Sequence, residues 1–154
     1  MEYSAAIAEC VKDFLEEDDW KFTFDEEKGI FKFGISIKGK LQSCSCIVQV
    51  RKHDMISYAE CKLNCDEENR DEMAKFIARA NYGLLDGNFE MDYRDGEIRY
   101  KSYLECGEQI PDLVQIKSLI YVPGIMMERY GNGIVAILFG IANAEEACKM
   151  CEKR

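Results

Sequence analysis

Between Trp20 and Leu63 the chain alternates apolar and polar residues four times in succession, and each run closes on a turn signal. Trp20, Phe22 and Phe24 alternate with Lys21, Thr23 and Asp25, and "DEEKG" follows. Phe31, Phe33, Ile35 and Ile37 form the second run, closed by "KGK". Cys44, Cys46, Val48 and Val50 mark a third strand; after "RKHD", Ser57, Ala59, Cys61 and Leu63 mark a fourth. A period of two places all the apolar side chains of a strand on one face. Four such strands in a row, with short connections, predict an antiparallel meander with one solvated face. The other face must be covered by the rest of the chain.

The covering segments have helical spacing. Tyr3, Ile7, Cys10, Val11, Phe14 and Leu15 make the stripe of a first helix over 3–16, ended by Asp18-Asp19. Asp66 suits the N-cap of a second, with Glu67 and Glu68 near the positive end of its dipole. Met73, Phe76, Ile77, Ala80 and Leu84 are its core face. Pro111 fits the first position of a third helix, whose stripe is Leu113, Ile116 and Ile120. Pro123-Gly124 predicts a kink or break there, and "YGNG" separates it from the apolar run "IVAILFGIA" at 134–142. Asn143 with Glu146 reads as a capping box for a last short helix, "AEEACKMCE".

Between the second and third helices, residues 89–94 and 97–102 flank Asp95-Gly96, a pair suited to a two-residue type I′ hairpin turn. That turn predicts Arg94 opposite Glu97, Asp92 opposite Arg99 and Glu90 opposite Lys101 on one face. Tyr93, Met91 and Phe89 would meet Ile98, Tyr100 and Ser102 on the other. Gly87, in the earlier Asp-Gly, is expected to be left-handed. An EF-hand is excluded, because the D-x-[DN]-x-[DN]-G run is missing. The element order is α-β-β-β-β-α-β-β-α-α: an α+β fold in one domain, 1–154, with the helices on one side of an antiparallel sheet.

A charge of −9, spread along the chain, argues against nucleic acid and against anionic membrane surfaces. The run at 134–142 is too short to span a bilayer. Met1-Glu2-Tyr3 lacks a basic leader region, so a cytoplasmic location is expected, with the eight cysteines mostly reduced. Cys44 and Cys46 share a strand face, and Cys10 lies on a helix stripe, as small hydrophobes would.

The segment "FIARANYGLLDGNFEMDYRDGEIRYK" at 76–101, together with the element order, resembles the YbjN family. The tail "GIVAILFGIANAEEACKMCE" at 133–152 resembles its apolar helix, break and short "P-E-E-A" helix, with Ala144 where the proline usually stands. The resemblance implies a bacterial protein with a type III secretion chaperone-like fold and a regulatory role. Type III secretion chaperones are acidic dimers that bind effector segments through apolar patches. The resemblance implies no catalytic residues.

The only histidine, His53, lies in a turn with no Cys or Ser paired to it by a motif, and no phosphate-binding loop is present, "GNG" at 131–133 included. Cys61, Cys65, Cys148 and Cys151 could supply four thiolates to zinc, or the C-x-x-C could be redox-active. Against zinc stand the loose first spacing and the long separation of the pairs. The expectation is therefore a non-enzymatic protein without cofactor that binds a protein partner and forms a homodimer. Its partner surface is expected on the C-terminal helices, at Ile120, Met126, Met127, Ile134, Leu138 and Phe139, since Met-rich patches make pliable interfaces.

Overall fold

A computed structural model describes residues 2–152. Its elements are α1 (Ala5–Glu17), β1 (Phe22–Asp25), β2 (Ile30–Ser36), β3 (Ser43–Val50), β4 (Asp54–Glu60), α2 (Arg70–Asn81), β5 (Asn88–Met91), β6 (Ile98–Glu105), α3 (Leu113–Leu138) and α4 (Ala144–Cys151). The strands form a single antiparallel sheet in the order β1-β2-β3-β4-β6-β5. This is the predicted α+β architecture: the meander forms as read, and the hairpin joins it through β6. Phe31, Phe33, Cys44, Cys46, Val48, Met55, Ala59, Phe89, Ile98 and Tyr100 are buried beneath the helices. Cys44 and Cys46 thus lie on the covered face, as their alternation implies.

The fourth strand begins earlier than its pattern suggested, at Asp54, and stops at Glu60, which leaves Leu63 exposed. The hairpin register also differs. Phe89 pairs with Tyr100 and Glu90 with Arg99, two residues from the predicted alignment. A shift of two keeps every side chain on its face, so Phe89, Met91, Ile98 and Tyr100 still point inward. The turn is not type I′, which needs positive φ at both central residues; only Gly96 has it, at +79°.

The cause of the wider turn lies in the loop's own side chains. Asp92 Oδ1 accepts from Arg94 N at 2.8 Å, and Asp95 Oδ1 accepts from Glu97 N at 3.0 Å. Gly96 N donates to Asp92 O at 2.7 Å. The segment after β4 then docks on the loop, with Cys65 N donating to Gly96 O at 2.8 Å. Gly87 is left-handed as expected, at φ +77°.

Asp66 begins a single 3-10 turn before α2, and its side chain makes no cap bond. Pro111 precedes α3 rather than opening it: Asp112 is the N-cap, forming a reciprocal capping box with Gln115. The predicted capping box of Asn143 and Glu146 opens α4.

The larger correction concerns α3, which runs unbroken for 26 residues through Pro123. A proline inside a helix costs about 3 kcal/mol, since an N–H is lost and the ring crowds the preceding turn. Tertiary packing offsets that cost here, because Ile116, Leu119, Ile120, Met127 and Tyr130 around it are all buried. Glycines bring the helix close to its neighbours. A Cβ on Gly124 would collide with Ile35, and one on Gly133 would stand 2.7 Å from Cys151 Sγ and 3.0 Å from Phe76. The first part of the apolar run, 134–138, is therefore covered within the monomer, whereas Phe139 and Ile141 beyond it are exposed. Ile134 to Leu138 are buried, and α4 is held beside them by Tyr130 Oη donating to Glu152 at 2.9 Å and Ala144 N donating to Glu72 at 2.6 Å. α1 covers the other half of α3, where Phe14 meets Tyr121 edge to face at 6.0 Å.

Candidate functional site

The six residues expected to form a partner surface do not come together as one. Ile120, Met127, Ile134 and Leu138 are buried core residues, and Met126 is half-buried against them. Phe139 alone is exposed, at 66%, where α3 ends. Apolar residues in excess of one stripe signified here a helix covered on several sides, not a free surface.

Nor do the four cysteines of the metal alternative converge. Cys148 Sγ donates to Phe76 O and Cys65 Sγ to Asp66 O, while Cys151 lies against Gly133. Burial pushes the Cys148 thiol up to about 11 and raises Cys61, Cys65 and Cys151 as well. Such thiols hold little thiolate, the form that binds metal or attacks. Cys44 departs from this pattern, lowered by the hydrogen bond from Cys46, but only 1% of it is exposed. Among the described residues no group of three or more His, Cys, Asp or Glu side chains is arranged to hold a metal ion. His53 is exposed in its turn, with Nδ1 3.1 Å from Gly107 O.

Two surfaces remain. The first is a groove of about 260 Å³ between the start of α3 and the outer half of β6. Val114, Ser118 and Leu119 wall one side, Tyr103 and Leu104 the other, and Asp86 closes an end. Val114 on its wall is 77% exposed, and its neighbours in the chain are exposed too, Ile110 at 57% and Leu113 at 63%. The scaffold beneath is firm. Asn81 clamps the start of β5 with two bonds to the Phe89 backbone, at 2.7 and 3.1 Å. Asp86 accepts from Ser102 Oγ at 3.2 Å through its side chain, and from Tyr100 Oη through its carbonyl. Burial and the Asp86 charge push that tyrosine up to about 12. Tyr103 donates to Asp54 at 2.9 Å, and Arg51 grips the same carboxylate with two bonds, at 2.7 and 2.9 Å. Sequence reasoning missed this groove, although a signal existed. In "PDLV" two adjacent apolar residues open a helix, and both cannot face the core.

The second surface is the solvated face of the sheet. Ile47 stands opposite Tyr58, and Ile56 opposite Tyr103, which gives that face a partly apolar centre. Charges border it. Glu90 takes bonds from Arg99 at 2.9 Å and Lys101 at 3.0 Å, and Arg99 lies 4.2 Å over the Tyr58 ring. Burial tends to raise the Glu90 carboxyl, but those two cations bring it below the ordinary glutamate range. No described helix is long and apolar enough to cross a membrane.

A search of curated proteins finds no match. A family model described as "Putative bacterial sensory transduction regulator" matches residues 8–135, from α1 through most of α3. That span covers the whole sheet and the helix that organises it, so the chain belongs to the YbjN family.

Proposed function

We propose that this chain is a non-enzymatic, cytoplasmic regulator that works by holding a protein partner, chaperone-like in its use of exposed apolar surface. The observation that carries the reading is the groove beside α3, where the exposed Val114 lines one concavity with Leu104 and Leu119, and Ile110 and Leu113, next to it in the chain, are more than half exposed. Contiguous exposed apolar surface of this kind is characteristic of interaction sites. The family's regulatory description supports the same reading. The partner surface therefore moves from the buried residues of α3 to the exposed residues of its first turns.

The test compares partners recovered from the native cell with the wild-type chain and with the double variant Leu113→Glu, Val114→Glu. Both positions are exposed, so the variant should melt like wild type. Loss of specific partners from the variant supports the reading; identical partner sets would refute it.

A homodimer belongs to the same proposal, with its interface on the solvated sheet face at Ile47, Ile56 and Tyr58. Two-fold pairing is the commonest arrangement for a soluble oligomer. Residues 134–138 are covered within the monomer, and the partly apolar centre of the sheet face offers a flat surface for a second copy. Light scattering at micromolar concentration should give twice the chain mass, and Ile56→Glu should halve it. A monomeric mass that persists as concentration rises removes the dimer from the proposal.

A further inference from the structure

β5 is short, and its shortness leaves half of its neighbour without a strand. It pairs with Ile98–Lys101 only, whereas β6 continues to Glu105. Ile98 O and Cys106 N bond towards β4 and the β3–β4 turn, so the even-numbered residues of β6 turn their main-chain groups to that side. The odd-numbered residues turn theirs outward, and those of Tyr103 and Glu105 lie beyond the start of β5. Left-handed Gly87, whose Cβ would collide with the Lys101 carbonyl, marks the point where the chain leaves this line. A row of free main-chain donors and acceptors is a template for another strand.

We infer that this edge, together with the groove under α3, takes an extended segment of another protein as a seventh strand. The segment would alternate apolar residues with Lys or Arg. The inference rests on the protein-binding reading above and names the chemistry of the partner.

The two faces of the site dictate the alternation. Side chains on the helix side of an added strand would enter the groove beside Leu104, Val114 and Leu119, which suits aliphatic residues. Those on the open side would stand next to Tyr103 and Glu105, an exposed ring and a carboxylate, which suits cations. Asp86 in the groove and Asp112 at the N-cap of α3 add negative charge at this end. Of the cations near Tyr103, Lys101 is bound to Glu90 and Arg51 to Asp54. The same charges count against a second copy pairing edge to edge, because Glu105 and its acidic neighbours would face themselves. Main-chain bonds would give affinity and the alternating pockets specificity.

The experiment uses the full chain, isotope-labelled, and a fluorescent octapeptide of alternating Val and Lys. Two further probes are the same peptide with Glu for Lys, and one N-methylated at every second residue. We expect the basic peptide to bind and to shift the amides of Tyr103, Glu105 and Val114. N-methylation on the edge-facing side should weaken binding at least tenfold, and the Glu peptide should not bind. On the protein, Tyr103→Phe should retain binding, whereas Tyr103→Pro, which removes the outward N–H, should lose it. The methylated probe settles the question even if that variant unfolds. No binding, indifference to N-methylation, equal binding of the Glu peptide, or a dimer formed through the β6 edge would each overturn the inference. Loss of native partners in the Leu113→Glu, Val114→Glu variant, with no peptide binding, would leave the protein-binding reading intact and remove only strand addition.

Discussion

Replacing Gly96 with alanine tests the hairpin, its register and the docking of the β4–α2 connection together. Gly96 is left-handed at φ +79°, and a Cβ there would overlap the Cys65 carbonyl oxygen, a backbone atom with no rotamer to yield. An L-residue in the left-handed region costs about 1–2 kcal/mol. Displacing Cys65 also loses its 2.8 Å hydrogen bond to Gly96 O, about 0.5–1.5 kcal/mol more. The sum is about 1.5–3.5 kcal/mol, which in a chain of this size lowers Tm by about 3–14 °C. Urea and thermal unfolding read it directly. Two controls locate the cause. Asp95→Asn keeps the side-chain oxygen that accepts from Glu97 N, and should stay within about 0.5 kcal/mol of wild type. Asp95→Gly would stabilise a type I′ turn, but Asp95 is not left-handed here, so it should cost about 0.5–1 kcal/mol in chain entropy and about 0.5–1.5 kcal/mol for the lost bond to Glu97 N. A Gly96→Ala variant as stable as wild type, or a stabilised Asp95→Gly, would refute the turn and its contact with Cys65.

Asn81→Ala should cost about 2 kcal/mol by urea unfolding, since it removes partners from both the N–H and the C=O of Phe89. Glu90 is held below the ordinary glutamate value, so its contribution is complete above about pH 4.3 and is lost as pH falls through the lowered value. The stability gap between wild type and Glu90→Gln should therefore narrow on acidification; a gap that widens would contradict the network. In reducing buffer Cys10, Cys106 and Cys151, all partly exposed, should react with a thiol reagent before Cys44, Cys46, Cys61, Cys65 and Cys148, which are buried. Rapid native labelling of Cys44 and Cys46 would invert the faces of β3.

The strands were legible because their signal is local: each alternation lies within its own segment, and Trp20 to Leu63 needs no knowledge of the rest of the chain. What the local pattern could not supply came from distant partners. The hairpin turn, widened by its own Asp92 and Asp95 bonds, also carries Cys65, 31 residues before Gly96, a contact that the Asp-Gly pair alone does not announce. Pro123 is a breaker in isolation and is tolerated only because the sheet and α1 pack around it. Ile134 to Leu138 read as a surface needing a second copy until α2 and α4 were placed over them. The groove was hidden for the converse reason: Val114 is conspicuous only once the sheet shows which side of α3 is covered.

The position of α3 in the chain has a consequence for synthesis. It is the helix that closes the core, yet it lies after all six strands. From the end of β4 at residue 60 to the end of α3 at residue 138, a ribosome adding roughly 5–20 residues each second needs about 4–16 s. Throughout that interval the inner side of the meander, Phe31, Val48 and Met55 among it, exists without the helix that will bury it. The nascent chain thus offers strand edges and bare apolar surface to its surroundings before it can shield either. Transiently bare apolar surface and unpaired strand edges of this kind are where nascent chains aggregate or meet chaperones.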